Sequence, residues 1–171
     1  MNLPQPNEYP AWAERYISLI DGDVIDLLER QVTEYADFIN DLVEKADYAY
    51  APGKWTIKEV IGHTIDFERI LTFRVLCFTR NEQAAIPGSE EDAYALHANA
   101  KDRSLLSFSD EFASLRKANL YLFKSLTEEQ LSRIGTASER KISVRALLYV
   151  IAGHIIHHTR IIKERYLSSE N

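Results

Sequence analysis

From Val144 to Leu167 the apolar residues return every three or four positions, and in water such a stretch is stable as an α-helix with one stripe turned to a core. Its inward row reads Val144, Leu147, Ile151, His154, His158, Ile161, Arg165. Three other long segments share the period. One runs from about Asp23 to Glu44, with Val24, Leu28, Tyr35, Ile39 and Leu42 facing in, and a second from Thr56 to about Arg80. The third carries the row Phe108, Phe112, Leu115, Asn119, Leu122, Leu126. Thr56 with Glu59, directly after the turn at Pro52 and Gly53, is a capping box; Thr127 with Gln130 is another, opening a brief helix that stops at Gly135. Shorter helical pieces are expected around Trp12, Tyr16, Ile17 and Leu19, and from about Glu91 to Lys101 after a loop with Pro87 and Gly88. With no β-rich alternating runs or tight hairpin turns to read, four amphipathic helices of comparable length predict an all-α four-helix bundle. No repeat, linker or low-complexity tract divides the chain, so residues 1–171 are read as a single domain.

Charge and composition then exclude several function classes. Twenty basic against 26 acidic residues leave a net charge of −6, the wrong sign for holding nucleic-acid phosphates. No stretch approaches the roughly 20 apolar residues that span a bilayer, so no membrane is expected. The start, MNLPQPNEYPAWAERY, lacks the basic and apolar regions of a signal peptide, which makes a cytoplasmic location the expectation. The single cysteine, Cys77, leaves no internal disulfide and no Cys-rich zinc site, and is read as a small core residue rather than a nucleophile.

His154 and His158 occupy core positions where packing alone would place leucine. Residues at i and i+4 stack on one helix face, so the two imidazoles can converge on one ion. The same pattern also suits two core histidines that each bond a carbonyl or carboxylate. A third ligand would decide between them. His63 lies in the second segment, in a row with Phe67, Ile70, Arg74 and Cys77 at the edge of the apolar stripe, where a histidine can look into a crevice between helices. Spacing does not show that it meets the other two. Three neutral imidazoles would bind a divalent borderline metal, zinc or nickel, and leave a position for water or a substrate sulfur.

Two stretches carry a resemblance: YAPGKWTIKEVIGHTIDFERILTFRVL, from Tyr50 to Leu76, and SVRALLYVIAGHIIHHTRIIKERYL, from Ser143 to Leu167. The Gly-Lys-Trp turn, the H-x-x-D-x-E-R run from His63 to Arg69 and the G-H-x-x-H-H run from Gly153 to His158 resemble the DinB/YfiT-like superfamily, over a core of about residues 16–167. The resemblance implies an up-down-down-up four-helix bundle and a divalent metal held by His63, His154 and His158. It also implies an activity of the kind found in thiol-dependent S-transferases, such as bacillithiol transferases, and in a mycothiol-dependent isomerase. A low-molecular-weight thiol would then be co-substrate to an electrophile, and a homodimer is compatible with exposed bundle helices. Hydrolysis at the metal stays open, as does the competing class, a non-catalytic metal-binding stress-response or interaction protein.

Several neighbours of His63 carry two readings each. Asp66, one turn on, is a secondary catalytic candidate as an imidazole-orienting group or base, or else a solvated helical carboxylate. Arg74, in the His63 row, is a candidate for binding substrate carboxylates, with Arg69 less well placed. Trp55 either walls the site entrance or staples the start of its helix. Glu68 falls within the apolar row and therefore needs a buried partner or a proton. His157 points to the side of the row shared by its neighbours, toward a groove, and His97 is read as a surface residue.

Overall fold

The computed structural model describes residues 1–168. The four long segments are α2 (Val24–Asn40), α3 (Ile57–Thr79), α5 (Leu105–Lys124) and α7 (Val144–Ile161), with a short helix α1 (Glu14–Ile17) before them and short helices α4 (Glu91–His97) and α6 (Glu128–Leu131) between them. Each long helix opens on a side chain that satisfies its first free N–H groups. Asp23 accepts from Ile25 N at 2.8 Å, Ser104 from Ser107 N at 3.1 Å and Ser143 from Ala146 N at 3.0 Å. At α3 the capping box is complete: Glu59 N donates to Thr56 Oγ1, and Thr56 N donates to Glu59 Oε2 at 2.7 Å. α7 ends in a π-helical turn, Ile162–Tyr166. Among the described residues no helix is long and apolar enough to cross a membrane.

Side-chain pairs fix the helix directions. Ser109 reaches Ala36 O while Arg116 reaches Leu28 O, so α2 and α5 are antiparallel. His63 meets His154 while the Trp55 carbonyl accepts from Tyr166 Oη at 2.9 Å, so α3 and α7 are antiparallel too. Gln31 meets Ala152 and Phe38 meets Lys163, which makes α2 and α7 parallel. The topology is up-down-down-up. Two apolar clusters fill the bundle, one around Leu28, Leu71, Val75, Phe123 and Leu147, the other around Ile39, Ile61, Phe112, Ile155 and Ile162.

Between the clusters lies a polar layer. The Arg116 side chain is 0% exposed and Glu68 2%, and the guanidinium donates to both Glu68 oxygens at 2.7 and 2.8 Å. It also donates to Gln31 Oε1 at 2.8 Å, Asn119 donates to Glu68 Oε1 at 3.0 Å, and Gln31 Nε2 donates to Ala152 O at 2.9 Å. One connected network therefore joins all four helices at mid-height, and Glu68 has the buried partner its position demands. The inward face of α5 differs from the expected row: after Phe112 it continues through Arg116, Leu120 and Phe123, one position beyond Leu115, Asn119 and Leu122. The pull of Glu68 on Arg116 accounts for the shift.

A second difference is a β-hairpin, where none was expected. Strands β1 (Ile134–Ala137) and β2 (Arg140–Ser143) pair antiparallel, with Ser138 and Glu139 both at positive φ, as a two-residue turn requires. Gly135 is a strand residue, not a helix stop. A Cβ there would lie 2.1 Å from the Phe78 ring, so only glycine lets the strand close on α3. The expected helix from Glu91 to Lys101 also breaks, at Asn99 in the left-handed region with φ 52°, into α4 and a 3₁₀ turn, Ala100–Asp102.

Removing one member of a buried ion pair leaves the other charged without a partner, at a cost of about 3–5 kcal/mol. Arg116→Met is accordingly expected to lower the urea-unfolding free energy by that order, while Glu68→Leu with Arg116→Met together should cost far less than the sum of the two single changes. Additive losses would show that the two side chains do not act as a pair.

Candidate metal centre

His63 stands on the second turn of α3, and His154 and His158 stand one turn apart on the last two turns of α7. The antiparallel packing of these helices brings them to one level. Nε2 of His63 lies 3.1 Å from Nε2 of His154, which lies 3.0 Å from Nε2 of His158. One nitrogen of each ring falls within 4.8 Å of the others. Among the described residues this is the one group of three His, Cys, Asp or Glu side chains that converges so. Aromatic rings hold the imidazoles in place. Phe67 stacks on His154 at 3.9 Å between centroids, Trp55 lies 5.0 Å from His63, and Tyr16 meets His154 edge-on at 5.5 Å. Tyr16 comes this close because residue 153 is glycine: a Cβ there would lie 2.2 Å from Tyr16 O.

Burial decides the charge state of the cluster. Desolvation, opposed by the Asp92 carboxylate, pushes the His63 pKa down to about 4. Desolvation and the neighbouring His63 and His157 push His158 down to about 3, and the fully buried His154 lies well below its ordinary 6.5 for the same reasons. All three are neutral at pH 7, with lone pairs free for an ion. The donor set fits a divalent cation. Ligand atoms about 2.1 Å from one ion stand about 3 to 3.4 Å apart, and the spacings from His154 Nε2 to His63 and His158, 3.1 and 3.0 Å, match. A hydrogen-bonded reading fits less well, because His154 Nε2 carries either one proton or one lone pair yet faces two other ring nitrogens. Among the described residues His158 Nδ1 is buried without a hydrogen-bond partner, so none of them sets the orientation of that ring from its far side.

The remaining sequence candidates are distributed unevenly. Trp55 is at the cluster, lining a cavity of about 340 Å³ that opens onto His158. Asp66 sits beside His63 in a small cleft but pairs with Arg69 at 3.6 Å and bonds no imidazole. Arg74 is elsewhere. Eleven residues along α3 from His63, a rise of about 16 Å, its Nη2 donates to Ser138 Oγ at 3.1 Å and Pro87 O at 3.4 Å, tying loop to hairpin. His157 is half-buried, its ring 5.1 Å from that of His158, and Arg15, Arg160 and Arg165 add to burial in lowering its pKa. Sequence reasoning missed Tyr50, Lys54 and Asp92, which share the cavity with His158. Nothing in their local spacing announces it.

The depressed imidazoles have a measurable consequence for the metal-free protein. As pH falls through 6.5 the unfolded histidines take up protons, while folded His63 and His158 stay neutral to about 4 and about 3. The unfolded state binds more protons in that window, so stability is full above it and declines as pH drops from about 7 to 4, by up to about 1.4 kcal/mol per pH unit for each group. Urea midpoints of metal-free protein should show the decline, and His158→Gln should flatten it. An unchanged slope in that variant would mean that His158 titrates normally in the fold.

Residues 24–162 match the model of the DinB superfamily. The structure is similar to that of YfiT from Bacillus subtilis, described as a probable metal-dependent hydrolase with an unusual four-helix bundle topology, at a TM-score of 0.75 and 22% identity over 84% of each chain. At that identity the likeness is one of fold. Among curated proteins no relative matches the sequence. With the family match running from the start of α2 to the end of α7, the chain belongs to the DinB superfamily.

Proposed function

We propose that this protein is a divalent-metal-dependent enzyme that activates a low-molecular-weight thiol and transfers it to an electrophile. One observation carries the reading: three neutral imidazole nitrogens converge beside a cavity of about 340 Å³, and no fourth His, Cys, Asp or Glu among the described residues joins them. A structural zinc site is normally closed by four protein ligands, whereas three leave a side for substrate. His63, His154 and His158 would hold zinc or nickel, which supplies Lewis acidity that lowers the pKa of a thiol or water entering beside it.

The chain's own residues do the rest. Phe67, Tyr16 and Trp55 pack apolar ring surface against the imidazoles. Asp92, which lines the same cavity, would take the thiol proton. The sulfur then bonds to the electrophilic carbon, and the leaving group departs with its electron pair. Cys77 does not compete as nucleophile, since burial and Glu82 raise its thiol pKa. A reducing, cytoplasmic setting goes with this use of a free thiol. Hydrolysis is the second reading, favoured by the description of YfiT.

Two measurements test the proposal in sequence. Elemental analysis should find about one divalent ion per chain, lost in His154→Ala or His158→Ala and largely kept in His157→Ala, with circular dichroism checking the fold. Equal loss in all three folded variants would show that the ligand set is misassigned. Metal-loaded protein should accelerate conjugation of a small thiol to an electrophile, with the rate lost on chelation and restored by metal. Turnover of esters or amides without thiol would favour hydrolysis. Full occupancy without turnover of either kind would leave a metal-binding protein without catalysis.

A further inference from the structure

Far from the histidines, Arg74 is a buried cation without a counter-ion. Among the described residues three arginines are buried: Arg116 (0% exposed), Arg74 (6%) and Arg145 (9%). Arg116 holds Glu68, and Arg145 holds Glu8 and Glu128. Arg74 pairs with no carboxylate among the described residues, and burial lowers its pKa with no acid near enough to oppose the shift. Its hydrogen bonds fall short as well. Nη2 donates to Ser138 Oγ at 3.1 Å and to Pro87 O at 3.4 Å, Nε is buried without a partner, and Nη1, also without one, is not sealed from solvent. A buried charge without its opposite is strongly unfavourable, and an anion arriving from solvent would supply what the chain does not. The surroundings leave room for one to approach. Ser138 is exposed at the hairpin turn, and the loop lies against it: Ile86 N donates to Thr136 O at 2.9 Å, and Ser138 N to Ile86 O at 3.0 Å. A Cβ on residue 88 would stand 3.2 Å from Ser138 Oγ, so glycine there leaves the hydroxyl uncrowded.

We infer that Arg74 and Ser138 form a binding site for a tetrahedral oxyanion, a phosphate or sulfate group, where α3, the loop after it and the hairpin turn meet. The free donors select the shape of the ligand. Nη2 already directs its two protons at Ser138 and Pro87, so a planar carboxylate finds no open fork of parallel N–H groups. What remains is Nη1 on the α3 side and the Ser138 hydroxyl proton on the hairpin side, free because Oγ accepts from Arg74. Donors from two separate elements suit an anion with oxygens on several sides. The site is distinct from the metal centre, which lies about 16 Å back along α3 at His63, and nothing in it depends on the chemistry there. A bound anion would tie loop to hairpin more firmly than the 3.4 Å contact to Pro87 does. That loop runs on into α4, whose Glu91 lines the cleft beside His63.

The test is calorimetry and thermal unfolding of the full chain with inorganic phosphate, against chloride at equal ionic strength and pH. Phosphate should bind saturably and, at ten times its Kd, raise the unfolding midpoint by about 3 to 6 °C, with sulfate acting alike and acetate far less. Ser138→Gly keeps the positive-φ turn and removes the hydroxyl, so it should weaken phosphate about tenfold. Arg74→Met should abolish the response. In chloride alone Arg74→Met should unfold at the wild-type midpoint or above it, since it removes a charge that has no partner. A side chain that only tethers the hairpin would instead lower the midpoint in both buffers and have no bearing on phosphate. His158→Gln should keep the response, because phosphate held at the histidine centre would be lost there. Glycerol 3-phosphate separates the sources: binding as tight as that of phosphate makes the anion one end of a larger ligand, and rejection makes it a free ion. No saturable effect on wild type beyond chloride, or a response that survives Arg74→Met, would overturn the site. If Arg74→Met does not fold, Ser138→Gly decides, and undiminished affinity in that variant would overturn it.

Discussion

The ion pair of Glu68 and Arg116 is the constraint on which the bundle depends. Apolar helices slide past one another cheaply, since one leucine packs much like the next, but a buried charge has one acceptable partner at one level. Glu68 on α3 meets Arg116 on α5; Arg116 holds Gln31 on α2; Gln31 holds the carbonyl of Ala152 on α7. A slip of one turn by any helix would strand a charge or an amide in the core. His63 lies five residues before Glu68, and His154 two residues after Ala152. The register that satisfies the network is therefore the one that brings the imidazoles together, and the polar layer serves the site without touching it.

The bundle was legible because period and capping are local. Thr56 and Glu59 announce the start of α3 within four residues, and the apolar rows of all four long helices repeat over four turns or more. What was illegible depended on distant partners. In α5 the row through Leu115, Asn119 and Leu122 looks the more apolar, yet Arg116 turns inward because Glu68, 48 residues earlier in sequence, offers it a carboxylate. The hairpin escaped for another reason. Its turn is Ser138-Glu139, not the Asn-Gly or Asp-Gly that usually marks positive φ at both positions, and Gly135 signals a helix end as readily as a close approach to Phe78.

The same distinction divides the site. His154 and His158 declare themselves by spacing on one helix, but His63 is 91 residues from His154, and only the family resemblance joined it to the pair. Arg74 shows the limit of reading a face. Membership in the His63 row gives the direction a side chain points, not its height, and three turns along α3 Arg74 holds the hairpin instead. Lys54, Asp92 and Arg165 reach the cavity from a turn, a short helix and a π-helical turn, so no single period could have collected them.

Dry surroundings make the three imidazoles costly and useful at once. Burial that holds the pKa of His63 near 4 and of His158 near 3, and that of His154 well below its ordinary value, removes proton competition for the ring nitrogens at neutral pH, so in the proposed reading an ion would meet free lone pairs. That arrangement needs rigid supports, and the three histidines stand on two long helices locked by the polar layer. Recognition has the opposite requirement. In the proposed reading, the walls of the cavity beside His158 come from the Lys54-Trp55 turn and the last turn after α7, at the end of the bundle, away from the network of Glu68 and Arg116. In that reading the walls of the cavity can change without disturbing the mid-height network that aligns the three histidines.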